Sequence, residues 1–125
     1  MTDDEIRSYR DLKVWQLGMD LAETCYRVTR RFPKDELYGM TAQIRRAATS
    51  VPANIAEGHG RNSRGDYAHF LRIAQGSLKE LETHTLLSQR VGFTDEEIVR
   101  TVLSKSEVLG KMLRALIRSL EAGCK

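Results

Sequence analysis

Residues 50–84 read SVPANIAEGHGRNSRGDYAHFLRIAQGSLKELETH, and this stretch joins two long helical patterns through a glycine-rich hinge. Apolar residues keep helical spacing up to Ile55, and the pattern ends at Gly58 and Gly60. Pro52 lies inside this helix, where its ring removes a backbone hydrogen bond and crowds the preceding turn. We therefore expect the second helix to kink at Pro52, with a break into two pieces as the alternative.

The chain beyond the hinge is also predicted to be helical. Ser63 and Asp66 resemble a capping box, and the pattern after them holds until Gly92. Thr94 with Glu97 resembles a second capping box. The predicted helices cover about residues 12–31, 36–57, 64–91 and 95–122. Since short connections favour antiparallel neighbours, we predict an all-α, antiparallel up-and-down four-helix bundle that forms one domain over residues 1–125.

Composition restricts the function classes. Twenty Lys and Arg residues against seventeen Asp and Glu give a net charge of +3 over 125 residues, which permits an acidic partner but differs from a dedicated nucleic-acid arm. The N-terminus lacks the features of a signal peptide and no stretch is apolar enough to cross a membrane, so we expect a cytoplasmic protein. Cys25 and Cys124 lack paired spacing, which favours a small core residue and a tail thiol, respectively.

Helix three carries two stripes at helical spacing, and one is enough to face the bundle core. The second is mostly apolar but is interrupted by polar residues, as in seams that fix the register of a partner helix. We interpret it as a candidate oligomer interface, and the alternative is a wide core face. Its residues are Phe70, Ile73, Ser77, Glu80, His84 and Leu87.

Helix two carries a polar row within about a third of its circumference, at about 100° per residue. Its members are Gln43, Arg46, Ser50, Asn54 and Glu57. A solvated face would explain the row, but its short hydrogen-bonding side chains also suit a partly buried network. On that hypothesis Arg46 pairs with Glu57 or with Glu80 of helix three, and the pair joins helix two to helix three within one subunit or between subunits.

Arginines supply the remaining candidate chemistry, and five of them are candidate phosphate contacts. These are Arg45, Arg46, Arg61, Arg64 and Arg72. We expect all but Arg46 to gather near the hinge, where Tyr67 could stack on a base. Lys111, Arg114 and Arg118 form a second row on helix four, where Glu107 suggests ordinary surface pairing with Lys111. A solvated face is the alternative for both clusters.

Motifs for metal or covalent chemistry are missing from the sequence. His59, His69 and His84 lie far apart, and neither HExxH nor a zinc pattern of Cys and His occurs. The hinge sequence GHGRNSRG also lacks the Lys-Ser or Lys-Thr of a phosphate-binding loop. We predict no metal, no cofactor and no enzymatic activity.

The sequence resembles a known family, the small four-helix proteins encoded in intervening sequences of bacterial 23S rRNA genes. These are related to the accessory variability protein of diversity-generating retroelements. The resemblance rests on YRDLKVWQ from Tyr9, RRFPKDELYGMTAQIRRAATSVPANIAEGHGR from Arg30, FLRIAQGSLKELETH from Phe70, and VGF ending at Phe93. It covers nearly the whole chain, with little signal from helix four.

The resemblance implies a ring-like homopentamer that binds nucleic acid and has no established enzymatic activity. It also implies that members in retroelements act beside a reverse transcriptase through a basic surface. The net charge of +3 is small for such a strongly basic accessory protein. Together with the residues, it predicts a non-enzymatic homo-oligomer that binds RNA or DNA through phosphate contacts. The alternative is a protein-interaction module whose arginines form salt bridges between subunits.

Overall fold

A computed structural model describes residues 5–123, and every regular element within them is helical. The four long helices are α1 (Lys13–Thr29), α2 (Met40–His59), α3 (Arg64–Arg90) and α4 (Glu96–Ala122). Short 3₁₀ helices at Tyr9–Asp11 and Lys34–Glu36 precede α1 and α2. None of the helices in this part of the chain is both long and apolar enough to cross a bilayer.

The helices pack in chain order, and α1 also packs on α4 to close a four-sided bundle. At one end, the rings of Phe32 and Phe93 lie 5.7 Å apart and join the end of α1 to the start of α4. Halfway along the bundle, Lys105 Nζ lies 2.7 Å from Asp20 Oδ2. This arrangement confirms the predicted four-helix bundle.

The core is aliphatic and draws on all four long helices. Leu21, Ile55, Leu71 and Leu109 are among its fully buried side chains. Cys25 is buried with them, as predicted, and burial raises the pKa of its thiol to about 12. The thiol is therefore protonated and unreactive at neutral pH. The predicted tail thiol, Cys124, lies outside the described residues.

Helix α2 runs without interruption through Pro52, so the alternative of two separate pieces is wrong. The kink stays a prediction. Pro52 is buried against Gly18 of α1, where an added Cβ would lie 3.4 Å from the proline Cβ. The small residue in α1 therefore allows close contact at the position where α2 carries its proline.

Helix starts differ from the sequence reading at two places. Helix α2 begins at Met40 rather than Glu36, because Glu36 belongs to a 3₁₀ turn and its carboxylate accepts a hydrogen bond from the Met40 N–H at 2.9 Å. Helix α4 is capped by Asp95, whose Oδ1 accepts from the Ile98 N–H at 2.9 Å. The predicted Thr94 cap is thus wrong, and the buried Thr94 hydroxyl has no hydrogen-bond partner among the described residues. Helix α3 is capped by Ser63 as predicted.

The two neighbouring residues at the start of α4 should respond differently to substitution. Asp95→Ala removes the cap and is expected to lower the free energy of unfolding by about 1 kcal/mol. Thr94→Val removes only an unpaired buried hydroxyl, so stability should stay the same or rise slightly. Urea unfolding followed by circular dichroism measures both variants, and a larger loss in Thr94→Val would contradict the assignment of the cap.

Candidate nucleic-acid interface

The five candidate arginines fall into two groups. Arg61 and Arg64 lie at the hinge and Arg72 lies about two turns into α3, and we call these three the hinge arginines. Arg45 and Arg46 lie near the opposite end of α2. At about 1.5 Å per residue, roughly 20 Å of helix separates Arg46 from Arg61. The predicted grouping of Arg45 with the hinge arginines is therefore wrong, because closeness in sequence was outweighed by the length of α2.

Arg45 is occupied by contacts within the chain. Its Nε donates to Thr29 Oγ1 at 2.9 Å, and its guanidinium lies 4.5 Å from the centre of the Tyr26 ring. These contacts tie α2 to α1. Arg46 is exposed and donates to the side-chain oxygen of Gln43 at 3.1 Å.

The hinge arginines contact three different elements. Arg61 lies 2.7 Å from the Glu57 carboxylate and 4.7 Å from the centre of the Phe70 ring. Arg72 forms a salt bridge with Glu121 of α4. The guanidinium of Arg64 occupies the space that a side chain on Gly123 would need. Two of the three therefore face the C-terminal end of α4.

This orientation brings the hinge arginines close to the basic row of helix α4. A groove of about 570 Å³ between α3 and α4 is lined by Arg72 and Lys79 on one side and by Arg114 and Arg118 on the other. Lys111 precedes Arg114 by one helical turn. We define the basic patch as Arg64, Arg72, Lys111, Arg114 and Arg118.

The charges of the patch are only partly neutralised. Lys111, Arg114 and Arg118 form no salt bridge with any carboxylate in residues 5–123, so the surface pairing of Lys111 with Glu107 is not formed. Lower in the groove, Glu82 accepts a hydrogen bond from the Ser106 hydroxyl at 2.6 Å. Three cations without a salt bridge thus follow one another along α4.

The groove offers mixed charge and no ring for an aromatic base: its four cations, Arg72, Lys79, Arg114 and Arg118, share the lining with three carboxylates, Glu82, Glu107 and Glu121. Gly76 and Gly110 line it without side chains, and none of the described residues that line it is aromatic. Tyr67, the predicted stacking residue, is half-buried, and its ring packs edge-on against His59 at 5.8 Å. Burial raises the pKa of Tyr67, and its hydroxyl is enclosed without a described partner. Tyr67 is therefore not available for stacking on a base.

The polar row of α2 meets α3 along one seam. Ser50 Oγ and Ser77 Oγ lie 2.8 Å apart, and the Asn54 amide donates to Ser50 Oγ at 2.9 Å. Within the chain Arg46 forms neither predicted pair, because Glu57 pairs with Arg61 and Glu80 lies beside His84. Pairing of Arg46 between subunits stays a prediction. A network joining α2 to α3 exists, but three short uncharged side chains form it.

The second stripe of α3 divides between the seam and the outer surface. Ser77 is 7% exposed and faces α2 within the chain rather than a partner. Phe70 is half-buried, and its ring lies beneath Arg61. Ile73 and Leu87 are 39% and 45% exposed, so the wide-core alternative fails for these two.

Polar members of the stripe form one loose pair. His84 Nε2 lies 3.6 Å from Glu80 Oε2, which is too long for a hydrogen bond. Glu80 projects into solvent, with 53% of its side chain exposed. In residues 5–123 no three metal-ligating side chains gather, and the His59 and His69 rings pack on Tyr67 and Phe70.

Comparison with known proteins places the bundle in a family. The family model described as "23S rRNA-intervening sequence protein" matches residues 10–115. The chain belongs to this family. The matched range contains the basic patch except for Arg118. No curated protein matches the sequence significantly.

A solved structure supports the same family fold. It is the crystal structure of a protein of unknown function from the S23 ribosomal protein family of Bacteroides thetaiotaomicron, to which this chain is 26% identical with a TM-score of 0.75. The similarity covers 83% of this chain and 97% of that chain. The relative therefore has the same helical architecture over almost its full length.

Proposed function

We propose that this protein is a non-catalytic, self-associating helical bundle that binds RNA or DNA through the phosphate backbone. The observation that carries the proposal is the convergence of two separate basic segments on one groove between α3 and α4. The family description, "23S rRNA-intervening sequence protein", supports a nucleic-acid ligand.

The patch has suitable chemistry for phosphate. Guanidinium groups present planar forks of donors that match phosphate oxygens in two-pronged hydrogen bonds. Arg114 and Arg118 are one turn apart on the same face of α4, so their Cβ atoms lie about 5–6 Å apart. Neither forms a salt bridge with a described carboxylate. They are the principal contacts, and Lys111 extends the same row.

Groove composition favours contacts to the backbone over base readout. Stacking on aromatic rings accounts for much of the binding of unpaired bases, and the lining described here contains none. Binding that depends on phosphate alone is indifferent to sequence and sensitive to salt. The small net charge of +3 makes it weak at physiological ionic strength.

Salt dependence tests the proposal. A fluorescently labelled RNA duplex is titrated with the protein, and anisotropy gives the affinity over a range of salt concentrations. With three or four phosphates contacted per subunit, the logarithm of the affinity should fall with the logarithm of salt with a slope of about −3. A flat salt response, or no binding at low salt, would remove the nucleic-acid proposal.

A protein-interaction module is the second candidate, and the exposed Ile73 and Leu87 favour it. In that case the patch would form salt bridges between subunits. Light scattering with absorbance at 260 and 280 nm on the same peak separates the candidates. Excess absorbance at 260 nm on an oligomer supports nucleic-acid binding, whereas a clean oligomer that ignores added RNA supports the interaction module.

A further inference from the structure

A groove between α1 and α2 lies on the side of the bundle opposite the basic patch, because α1 and α3 each pack on both α2 and α4. This groove contains the aromatic rings that the groove between α3 and α4 lacks. We propose that it binds an unpaired segment of RNA or DNA, with a base stacked on Trp15. The inference extends the proposed function, since it keeps nucleic acid as the ligand and adds a second, separate contact.

Aromatic rings line both ends of this groove, which we call the aromatic groove. Tyr9 and Trp15 lie at one end, with their ring centres 5.3 Å apart in an edge-to-face contact. Tyr26 lies about three turns, or roughly 16 Å, further along α1. The volume of about 460 Å³ falls in the usual range for a ligand cleft. The lining includes Tyr9, Trp15, Met19, Tyr26, Ala53 and Ala56.

Small side chains keep the space between the rings open. Gly18 of α1 lies against Pro52 of α2, where an added Cβ would be 3.4 Å from the proline Cβ. Ala53 and Ala56 line the α2 wall with no more than a methyl group each. A flat ring can therefore enter between the two helices and contact the half-buried Trp15 from the solvent side.

The exposed rings match the way in which unpaired bases are bound. Such bases stack on aromatic side chains and on guanidinium planes, and the contact tolerates any base sequence. Tyr26 is 39% exposed, and Met19 between the two ends is 46% exposed. In a duplex the bases are already stacked on each other, so the aromatic groove is open only to an unpaired segment.

A positive charge lies at each end of the aromatic groove. The Arg10 guanidinium is 5.7 Å from the centre of the Tyr9 ring, and the Arg45 guanidinium is 4.5 Å from the centre of the Tyr26 ring. Neither arginine forms a salt bridge with a carboxylate in residues 5–123. Arg45 donates to Thr29 from Nε, which leaves its two terminal nitrogens for a phosphate.

Charge complementarity selects a nucleic-acid strand as the occupant. Glu23 is the one carboxylate among the described lining residues, and Arg27 pairs with it at 2.6 Å. The groove therefore has a net positive charge, and a strand carries one negative charge per nucleotide. At about 3.4 Å per stacked nucleotide, the roughly 16 Å between Trp15 and Tyr26 holds several nucleotides.

Trp15 is the only tryptophan of the chain, so its fluorescence reports directly on the aromatic groove. A single-stranded oligouridylate of about ten nucleotides, a length that one stacking surface can cover, is titrated into the intact protein. We expect the Trp15 fluorescence to be quenched as the strand binds. An RNA duplex, which binds to the basic patch, should leave the fluorescence unchanged.

Two glutamate substitutions form a matched pair for the same titration. Ala53→Glu places a carboxylate inside the aromatic groove, whereas Val108→Glu adds the same charge on α4 at a position that is 52% exposed and lines neither groove. Ala53→Glu should weaken binding of the strand by roughly 10-fold or more, and Val108→Glu by much less. Both should affect duplex binding to the same small extent, which shows that each variant is folded. Trp15→Leu, followed by anisotropy of a labelled strand, should show a loss similar to that of Ala53→Glu.

The outcomes separate this inference from the proposed function. If neither strand nor duplex binds, both fail. If the duplex binds with the expected salt dependence but the strand leaves Trp15 unchanged, only the aromatic groove is overturned. Equal weakening of strand binding by Ala53→Glu and Val108→Glu overturns it as well.

Two further results would assign the aromatic groove to another occupant and overturn the inference. Free uridine monophosphate that quenches Trp15 as strongly as the strand, at the same nucleotide concentration, would make a free nucleotide the ligand. A fall in the mass of the protein on Ala53→Glu, measured by light scattering, would mean that a second copy of the chain covers the groove. Unchanged mass and weak quenching by the mononucleotide are the results expected.

Discussion

Replacing Arg114 and Arg118 with glutamate is expected to lower affinity for an RNA duplex by roughly 100-fold or more. A hydrogen bond to a charged group is worth about 1.5–3 kcal/mol, and two such contacts are lost. The new carboxylates also repel phosphate. The salt dependence of the remaining binding should become shallower by about two contacts. Fluorescence anisotropy across a salt series measures both effects.

The matched control for this variant is Arg30→Glu with Arg31→Glu. These arginines lie at the opposite end of the bundle, are exposed, and give the same change in net charge. If both double variants lose affinity equally, overall charge drives binding and the basic patch is not the site. Thermal unfolding by circular dichroism confirms that each variant is folded before binding is compared.

Helix positions could be predicted from the sequence because the pattern that specifies them is local. Apolar residues at helical spacing, a hinge with Gly58 and Gly60, and Ser63 before α3 define three of the four helices. The start of α4 could not be read in this way, since Thr94 and Asp95 are both good caps. Only backbone geometry decides that Asp95 reaches the Ile98 N–H.

The site was less predictable, because its parts come from different helices. Arg72 belongs with Arg114 and Arg118 only once α3 and α4 are packed. Proximity in sequence instead suggested Arg45, but α2 is long enough to place Arg45 far from the hinge.

The polar row of α2 could also be predicted only in part, although its residues lie close together in the sequence. Ser50 and Asn54 do join α2 to α3, as the hypothesis of a network required. Within the chain Arg46 does not take part, because Arg61 lies one turn beyond Glu57 and pairs with its carboxylate. A helical wheel places side chains on a face, but it does not decide which of several nearby cations forms the pair.

Gly58 is the position where the contact between α2 and α3 leaves least room. A Cβ added there would lie 2.8 Å from Phe70 Cβ and 3.1 Å from the Tyr67 carbonyl oxygen. Neither atom is the far end of a flexible side chain, so the two helices would have to separate near the hinge. Gly58→Ala is therefore expected to lower the free energy of unfolding by about 1–3 kcal/mol, although alanine is the better helix former.

Gly76 of α3 provides the matched comparison for that loss. It is also inside a helix, but it is exposed and an added Cβ meets nothing within 4 Å. Gly76→Ala should thus show the helix-propensity gain alone and stabilise the protein by about 0.5–1 kcal/mol. Urea unfolding of both variants separates close packing from backbone freedom. Equal stabilisation by the two substitutions would mean that the contact between α2 and α3 at the hinge yields easily, and that Gly58 is not required for it.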